Sequence, residues 1–341
     1  MNSLAIPNGV TYIGMYAFHA CSGLTSITIP SSLNTIDEDA FEKCTALKDV
    51  NLPSRLKRIE NNMFWGCTSL TSVSIPESVT SISEEAFREC SALSSVTIPN
   101  SISEISRFTF YGCSSITAMN IPANVKSIGS SAFEDCVNLT SLTLNEGLES
   151  IGGSAFEGCK QLTRLSLPGT VNSIKLNAFK NCIGMEQVDC YAETIPELGE
   201  NAFEGVWNKA LLRVPYIVEE EYIKTSRWNI FSNITHLPII IYIIGDEVYA
   251  NVQPPYGSTI IPPMVEQREG FDFAWGDYPK TMPDEDVIIE GSYIATNING
   301  TNANITNTDI YSIKGYKTSK LQRGLNIIRQ KDGKVRKVLV Q

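Results

Sequence analysis

Cysteine is the residue type in this chain with the greatest chemical potential. Nine are present, and eight recur at one spacing: Cys21, Cys44, Cys67, Cys90, Cys113, Cys136, Cys159 and Cys182. A nucleophilic thiol needs a base within hydrogen-bond reach. The chain has two histidines, His19 and His236, and His19 falls at a turn position where other repeats carry Glu42, Trp65, Arg88 or Lys180, so a solvated side chain is expected there. Metal ligation needs side chains converging on one point, whereas residues repeated along a stack stay parallel. Neighbouring coils about 4.8 Å apart allow disulfides by distance, but a parallel ladder suits the S–S dihedral poorly. The ninth, Cys190, stands where other repeats have Ile29, Leu52 or Ile75. Free thiols buried as small hydrophobes are therefore expected. Neither a P-loop nor a GxGxxG pattern occurs, and Asp284, Glu285 and Asp286 lack EF-hand spacing. No carboxylate pair is supported by the register. The residues predict no catalytic group, no metal, no cofactor and no enzymatic activity.

The elements that position these residues follow from a period of 23. Phe18, Phe41, Phe64, Phe87, Phe110, Phe133, Phe156 and Phe179 precede each cysteine by three residues. Fixed periods of 20 to 50 residues mark solenoids, in which each coil buries its faces only by stacking. In residues 70–92, Leu70, Val73 and Ile75 give the L-x-x-L-x-L strand spacing, with Ser72 and Ser74 outward. Pro76 ends the strand, since it cannot donate to the ladder. Val79 and Ile82 form a second inward pair. Ser83, matched by Gly14, Asp37, Ser106, Gly129 and Gly152, is expected to cap a short helical turn over Ala86, Phe87, Cys90 and Leu93.

The pattern I-P-x-x-V-x-x-I-x-x-x-A-F-x-x-C-x-x-L-x-x-V-x-I-P resembles the BspA-type leucine-rich repeat of bacterial surface proteins over residues 1–205. The fold expected is mostly β within the α+β class: a right-handed leucine-rich-repeat solenoid of 23-residue coils, followed by small β-rich C-terminal domains. The unit 178–205 is stretched, because Phe203 follows Phe179 by 24 residues. Residues 206–236, with Glu219, Tyr222, Ile223, Trp228 and Phe231, resemble the helix that closes such solenoids, with large apolar groups on one side and acids on the other. Residues 237–296 read as a small all-strand or β-grasp-like unit; their order Gly245-Asp-Glu-Val-Tyr249, Tyr256-Gly257, Gly270-Phe-Asp-Phe-Ala-Trp275 and Met282-Pro283 before Asp286-Val287 resembles an internalin B-repeat module, in which Trp275 is a core residue. A polar linker, 297–308, precedes residues 309–341, where Ile310-Tyr-Ser-Ile-Lys-Gly315, Gly324-Leu-Asn-Ile-Ile-Arg329, an Asp332, Gly333 turn and Lys337-Val-Leu-Val340 together resemble the C-terminal sorting domain of the type IX secretion route. That resemblance implies export machinery as a partner. An ordinary basic β-hairpin module is the alternative.

Composition narrows the partners. The net charge is −10, yet residues 312–341 carry nine Lys and Arg against one acid, giving +8 and leaving −18 for the remainder. An acidic body argues against nucleic acid as ligand. No run of 18 apolar residues occurs, so no membrane-spanning segment is expected. No signal peptide or polar capping unit precedes the first repeat, which leads to the expectation that the sequence begins inside a longer precursor with its export signal upstream.

Stacked coils build extended recognition surfaces, so the outward strand positions are the candidate site. On the concave sheet they form a hydroxyl ladder of Thr71, Ser72, Ser74, Ser94, Ser95, Thr97, Thr117, Asn120, Thr140, Ser141 and Thr143, extended by Glu186, Gln187 and Asp189 in the last regular coil. β-propensity alone would also favour Thr at exposed strand positions. Tyr16, Trp65 and Tyr111 form a second, aromatic candidate on the convex turns. The expected function is non-catalytic recognition at the cell surface or after secretion. The resemblance implies adhesion to host matrix proteins or surface glycans. A structural spacer and a glycan-capture protein for nutrient uptake are the alternatives.

Overall fold

The computed structural model describes residues 2–254, 257–267, 271–295, 309–312, 317–318, 324–329 and 335–340. The 297–308 linker and the Asp332, Gly333 turn lie outside them. The chain divides into two compact units, Met1–His236 and Leu237–Gln341.

The first unit is a parallel β-solenoid. Each coil lays one short strand on a first strip, such as Ser72–Ser74 followed by Ser95–Thr97, and a two-residue strand on a second, such as Ser81–Ile82 followed by Glu104–Ile105. The register is the repeat itself: Ser72 pairs with Ser95, Val73 with Val96 and Ser74 with Thr97. It slips to 24 in the stretched coil. Leu167 still pairs with Cys190, but Ser173 pairs with Glu197, which places the extra residue between Cys190 and Glu197.

The return segment is a chain of turns rather than the expected capped helical turn. Two residues per coil are left-handed, as at Asp39 and Lys43 (φ 57° and 56°) and at Glu85 and Glu89 (58° and 57°). This alternation turns every second N–H outward along the stack. Asp39, Phe41 and Lys43 donate to the carbonyls of Asn61, Met63 and Trp65 in the next coil, while Glu42 and Cys44 bond back three residues within their own. The residue expected as cap does not cap: the Ser106 hydroxyl donates to the Ile82 carbonyl of the coil before, at 2.6 Å.

Inside, Phe18 to Phe203 form one continuous stack, with centroids 5.2–5.5 Å apart and ring planes within 13°. A cysteine ladder runs beside it. Cys67, Cys90 and Cys113 each donate a thiol hydrogen to the Phe carbonyl of the preceding coil, at 3.1–3.2 Å. All nine cysteines are free; Cys21, in the first coil, is exposed rather than buried.

The stack ends on the segment after Phe203. Glu219–Lys224 is an α-helix, and Phe203 meets the edge of Phe231 at 5.2 Å. Trp228 donates to the Pro196 carbonyl and Tyr222 to that of Ala192. Two expectations fail here: Ile223 is exposed, and Glu219 is buried beside His236, 3.7 Å away. The side of the helix facing the last coil is thus not wholly apolar.

In the second unit, strands lie in the order Glu247–Val252, Ile240–Ile244, Val287–Ala295 and Phe271–Trp275. Ile240–Ile244 runs parallel to Val287–Ala295, and the other pairings are antiparallel. Trp275 is half-buried rather than fully in the core: it packs edge-on to Tyr242 at 5.0 Å and donates to the Pro263 carbonyl. A second, antiparallel sheet has the order Lys317–Thr318, Asp309–Ser312, Gly324–Arg329, Val335–Val340.

Burial pushes the ladder thiols up: Cys44 rises to about 12, and Cys67, Cys90 and Cys113 are also raised, with burial the largest cause. Because the folded values lie above the unfolded one of roughly 8.5, their contribution to stability is complete below that pH and is lost as pH rises through the folded values. Each fully buried thiol is expected to remove about 1.4 kcal/mol per pH unit above roughly 8.5. Urea unfolding at pH 7.5 and 10 checks this. A Cys67→Ala, Cys90→Ala, Cys113→Ala variant should lose less stability between the two pH values than the parent, and an equal loss would refute the assignment.

Candidate binding surface of the solenoid

The outward side chains of the first strip come from alternation alone: Val73 and Val96 point inward, so Ser72, Ser74, Ser95 and Thr97 point out. All eleven candidate positions, from Thr71 to Thr143, are exposed. Ten of them fall into two sets and one position between; Thr117, at a strand entry like the first set, makes no side-chain hydrogen bond to a described residue. Thr71, Ser94 and Thr140, at the entry to each strand, spend their hydroxyls on the carbonyls of Lys48, Thr71 and Thr117 in the coil before, at 3.2, 3.2 and 2.9 Å. These are clamps between coils. Ser72, Ser74, Ser95, Thr97, Ser141 and Thr143 make no hydrogen bond through their side chains and face outward. Asn120 lies between the sets, because its Oδ1 accepts from Asn145 at 3.1 Å.

The strip is not one unbroken ladder. Strand pairing is interrupted between Ser95–Thr97 and Ala118–Ile121, and again between Ser141–Leu144 and Arg164–Leu167. Its end also differs from expectation. Gln187 and Asp189 are buried, not surface-lining. Arg213 grips both oxygens of Asp189, at 2.7 and 2.8 Å, and Gln187 donates to the same carboxylate. Sequence reasoning missed this pair, although the 24-residue spacing from Asp189 to Arg213 equals that from Phe179 to Phe203 and could have revealed it.

The turn aromatics do not form a free patch. Tyr16 is exposed, but Trp65 and Tyr111 are half-buried around Arg88, whose guanidinium lies 5.2 and 5.0 Å from their rings. Lys43 lies 4.7 Å from the Trp65 ring. His19 is not merely solvated either: it pairs with Glu42 of the next coil at 3.2 Å. Further along this column Lys180 stands between Glu157 and Glu204, at 4.0 and 3.5 Å. Along this column opposite charges and cation–π contacts meet at His19–Glu42, at Trp65–Arg88–Tyr111 and at Glu157–Lys180–Glu204.

The ladder thiols are held protonated, and among the described residues no cluster of His, Cys, Asp and Glu is arranged to hold a metal ion. No helix among the described residues is long and apolar enough to cross a membrane.

The BspA type leucine rich repeat region family matches residues 1–116 and 80–210, in six copies. Among solved structures, a leucine-rich repeat protein from Bacteroides ovatus is 26% identical, with a TM-score of 0.51, over 68% of this chain and 72% of that one. The T. pallidum leucine rich repeat protein is 32% identical, with a TM-score of 0.44, over 47% and 77%. A leucine rich cell surface protein from Faecalibacterium prausnitzii is 25% identical, with a TM-score of 0.37, over 68% and 76%. No curated protein matches the chain.

Removing one member of a buried ion pair leaves the other charge desolvated, which costs about 3–5 kcal/mol. Asp189→Ala is therefore expected to lower solenoid stability by that order in urea titrations, whereas Ser95→Ala on the same strip should fall within about 0.5 kcal/mol of the parent. Equal effects would contradict the division between buried and outward positions.

Proposed function

This chain belongs to the BspA-type leucine-rich repeat family, and we propose that it is a non-catalytic surface protein that binds extended macromolecules along its first strip. The observation that carries this reading is the set of uncommitted hydroxyls. Ser72, Ser74, Ser95 and Thr97 stand in strict register on parallel strands, outward and without internal partners. Rows of hydroxyls about 4.8 Å apart meet an extended polypeptide or glycan through many weak hydrogen bonds. Affinity then comes from multiplicity, since the strip has no aromatic anchor of the kind that dominates compact interfaces. Family resemblance favours matrix proteins or surface glycans as partners and the cell surface as the location. The four-stranded sheet of 309–340, with its basic sequence, fits a signal read by export machinery, and the 237–295 sheet fits a module of the internalin B-repeat kind.

The test is binding of the whole chain to an array of matrix proteins and glycans, beside a variant with Ser72, Ser74, Ser95, Thr97 and Thr143 changed to Glu. The parent is expected to give saturable binding that falls at least tenfold in the variant. Binding untouched by the five charges would remove the first strip as the working surface. An empty array would favour the spacer reading, which the clamping hydroxyls of Thr71, Ser94 and Thr140 also suit.

A further inference from the structure

We propose that the third coil carries a second site, on the second strip, for an acidic oligosaccharide whose sulfate or carboxylate group is held by Arg55, Lys57 and Arg58. The starting point is a departure from the repeat. At these three positions the coil before has Ser32, Asn34 and Thr35, and the coil after has Ser78, Thr80 and Ser81. Cations replace neutral polar groups at all three, in a chain whose net charge is −10.

The exchange gives up a structural bond. Ser32, Ser78 and Thr170 each donate a hydroxyl to the carbonyl of the preceding coil, at Val10, Leu56 and Leu148, with lengths of 2.8, 2.7 and 2.7 Å. Arg55 occupies the same position and makes no such bond. The same coil also carries Lys48 where Thr71 and Ser94 supply the other clamp. A coil that forgoes two recurring clamps for exposed cations is built for something other than stacking.

The cations are available. Arg58 pairs with Glu60 at 2.9 Å, but Arg55 and Lys57 have no acidic partner among the described residues. Asn34, Thr35, Lys57, Arg58 and Glu60 line a shallow cleft of about 80 Å³ between the second and third coils. Lys57 and Arg58 share this cleft, and Arg55 stands outside its lining. The Thr35 hydroxyl donates to Asn34 Oδ1 at 3.1 Å, which leaves the Asn34 amide hydrogens for a ligand. Arginine forks and a lysine point charge suit oxyanion capture. The hydroxyls of Ser78, Thr80 and Ser32 flank the cations; Ser32 already accepts from the Gly9 N–H at 3.1 Å, whereas Ser78 keeps its lone pairs for a sugar hydroxyl. A long stiff polyanion such as duplex nucleic acid would extend past the patch over acidic coils. A flexible oligosaccharide places its charge within the roughly 8 Å Debye length of the three cations.

The test uses the whole chain and three probes of equal length: a heparin hexasaccharide, a hyaluronan hexasaccharide bearing carboxylates alone, and a neutral dextran hexasaccharide. The variant is Arg55→Ser, Lys57→Thr, Arg58→Ser, which installs the residues of the following coil and so preserves the repeat. Calorimetry is expected to show salt-sensitive binding of one or both acidic probes and none of dextran, with at least a tenfold loss in the variant. The variant should melt no lower than the parent, since Arg55→Ser restores the clamp. Heparin binding alone assigns the group as sulfate; binding of both includes carboxylate. Absence of binding to both acidic probes overturns the proposal, as does binding unchanged in the variant, or tighter binding of a DNA duplex. The five-Glu variant of the first strip should keep this binding, which separates the two sites.

Discussion

The structure depends on hydrogen bonding between coils along their turns. A strand strip satisfies its backbone by pairing, but a turn ordinarily bonds within itself and leaves its outer groups to water. Here left-handed residues at two places per coil reverse that habit. Asp39 and Lys43 are left-handed, and the N–H groups of Asp39, Phe41 and Lys43 all reach the next coil. The turns thereby become a third strip that holds the stack together as the strands do. That spacing draws the Phe rings into a parallel stack at 5.2–5.5 Å and brings the seven repeat thiols from Cys44 to Cys182 each beneath a Phe carbonyl of the preceding coil. The core is therefore a consequence of backbone register as much as of apolar area.

A repeat that satisfies itself so fully leaves little for other uses. The entry hydroxyls of the first strip become clamps, Trp65 and Tyr111 enclose Arg88, and His19 engages Glu42. The stack does not use the outward hydroxyls at mid-strand, nor the cations that stand where a clamp was given up. The mid-strand hydroxyls, Arg55 and Lys57 have no internal partner among the described residues, whereas Arg58 is shared with Glu60.

Much of this was legible in the sequence, because a strict period makes each residue an index of its neighbours in space. The position of Ser72 beside Ser95 follows from their separation of 23 and is met in the pairing. Inward and outward faces follow from alternation, and the thiols follow the phenylalanines into the core. The capped helical turn was misjudged for a physical reason: spacing of three and four residues fits helix and tandem turns alike, and only the signs of φ separate them. Glu85 and Glu89 are not residues from which a left-handed backbone is read.

Sequence by itself determined the solenoid, its 23-residue register, the stretched coil and the order of side chains along each strip, since in a one-dimensional stack order along the chain is order in space. Only the tertiary structure decided which polar groups are spent. A serine that clamps and a serine with no internal partner are the same letter, and the distance to a carbonyl in the preceding coil tells them apart. The Asp189–Arg213 pair and the burial of Glu219 belong to the same class. They arise where the repeat ends and periodicity no longer predicts what stands beside a charge, so their partners are set by the packing of the closing segment.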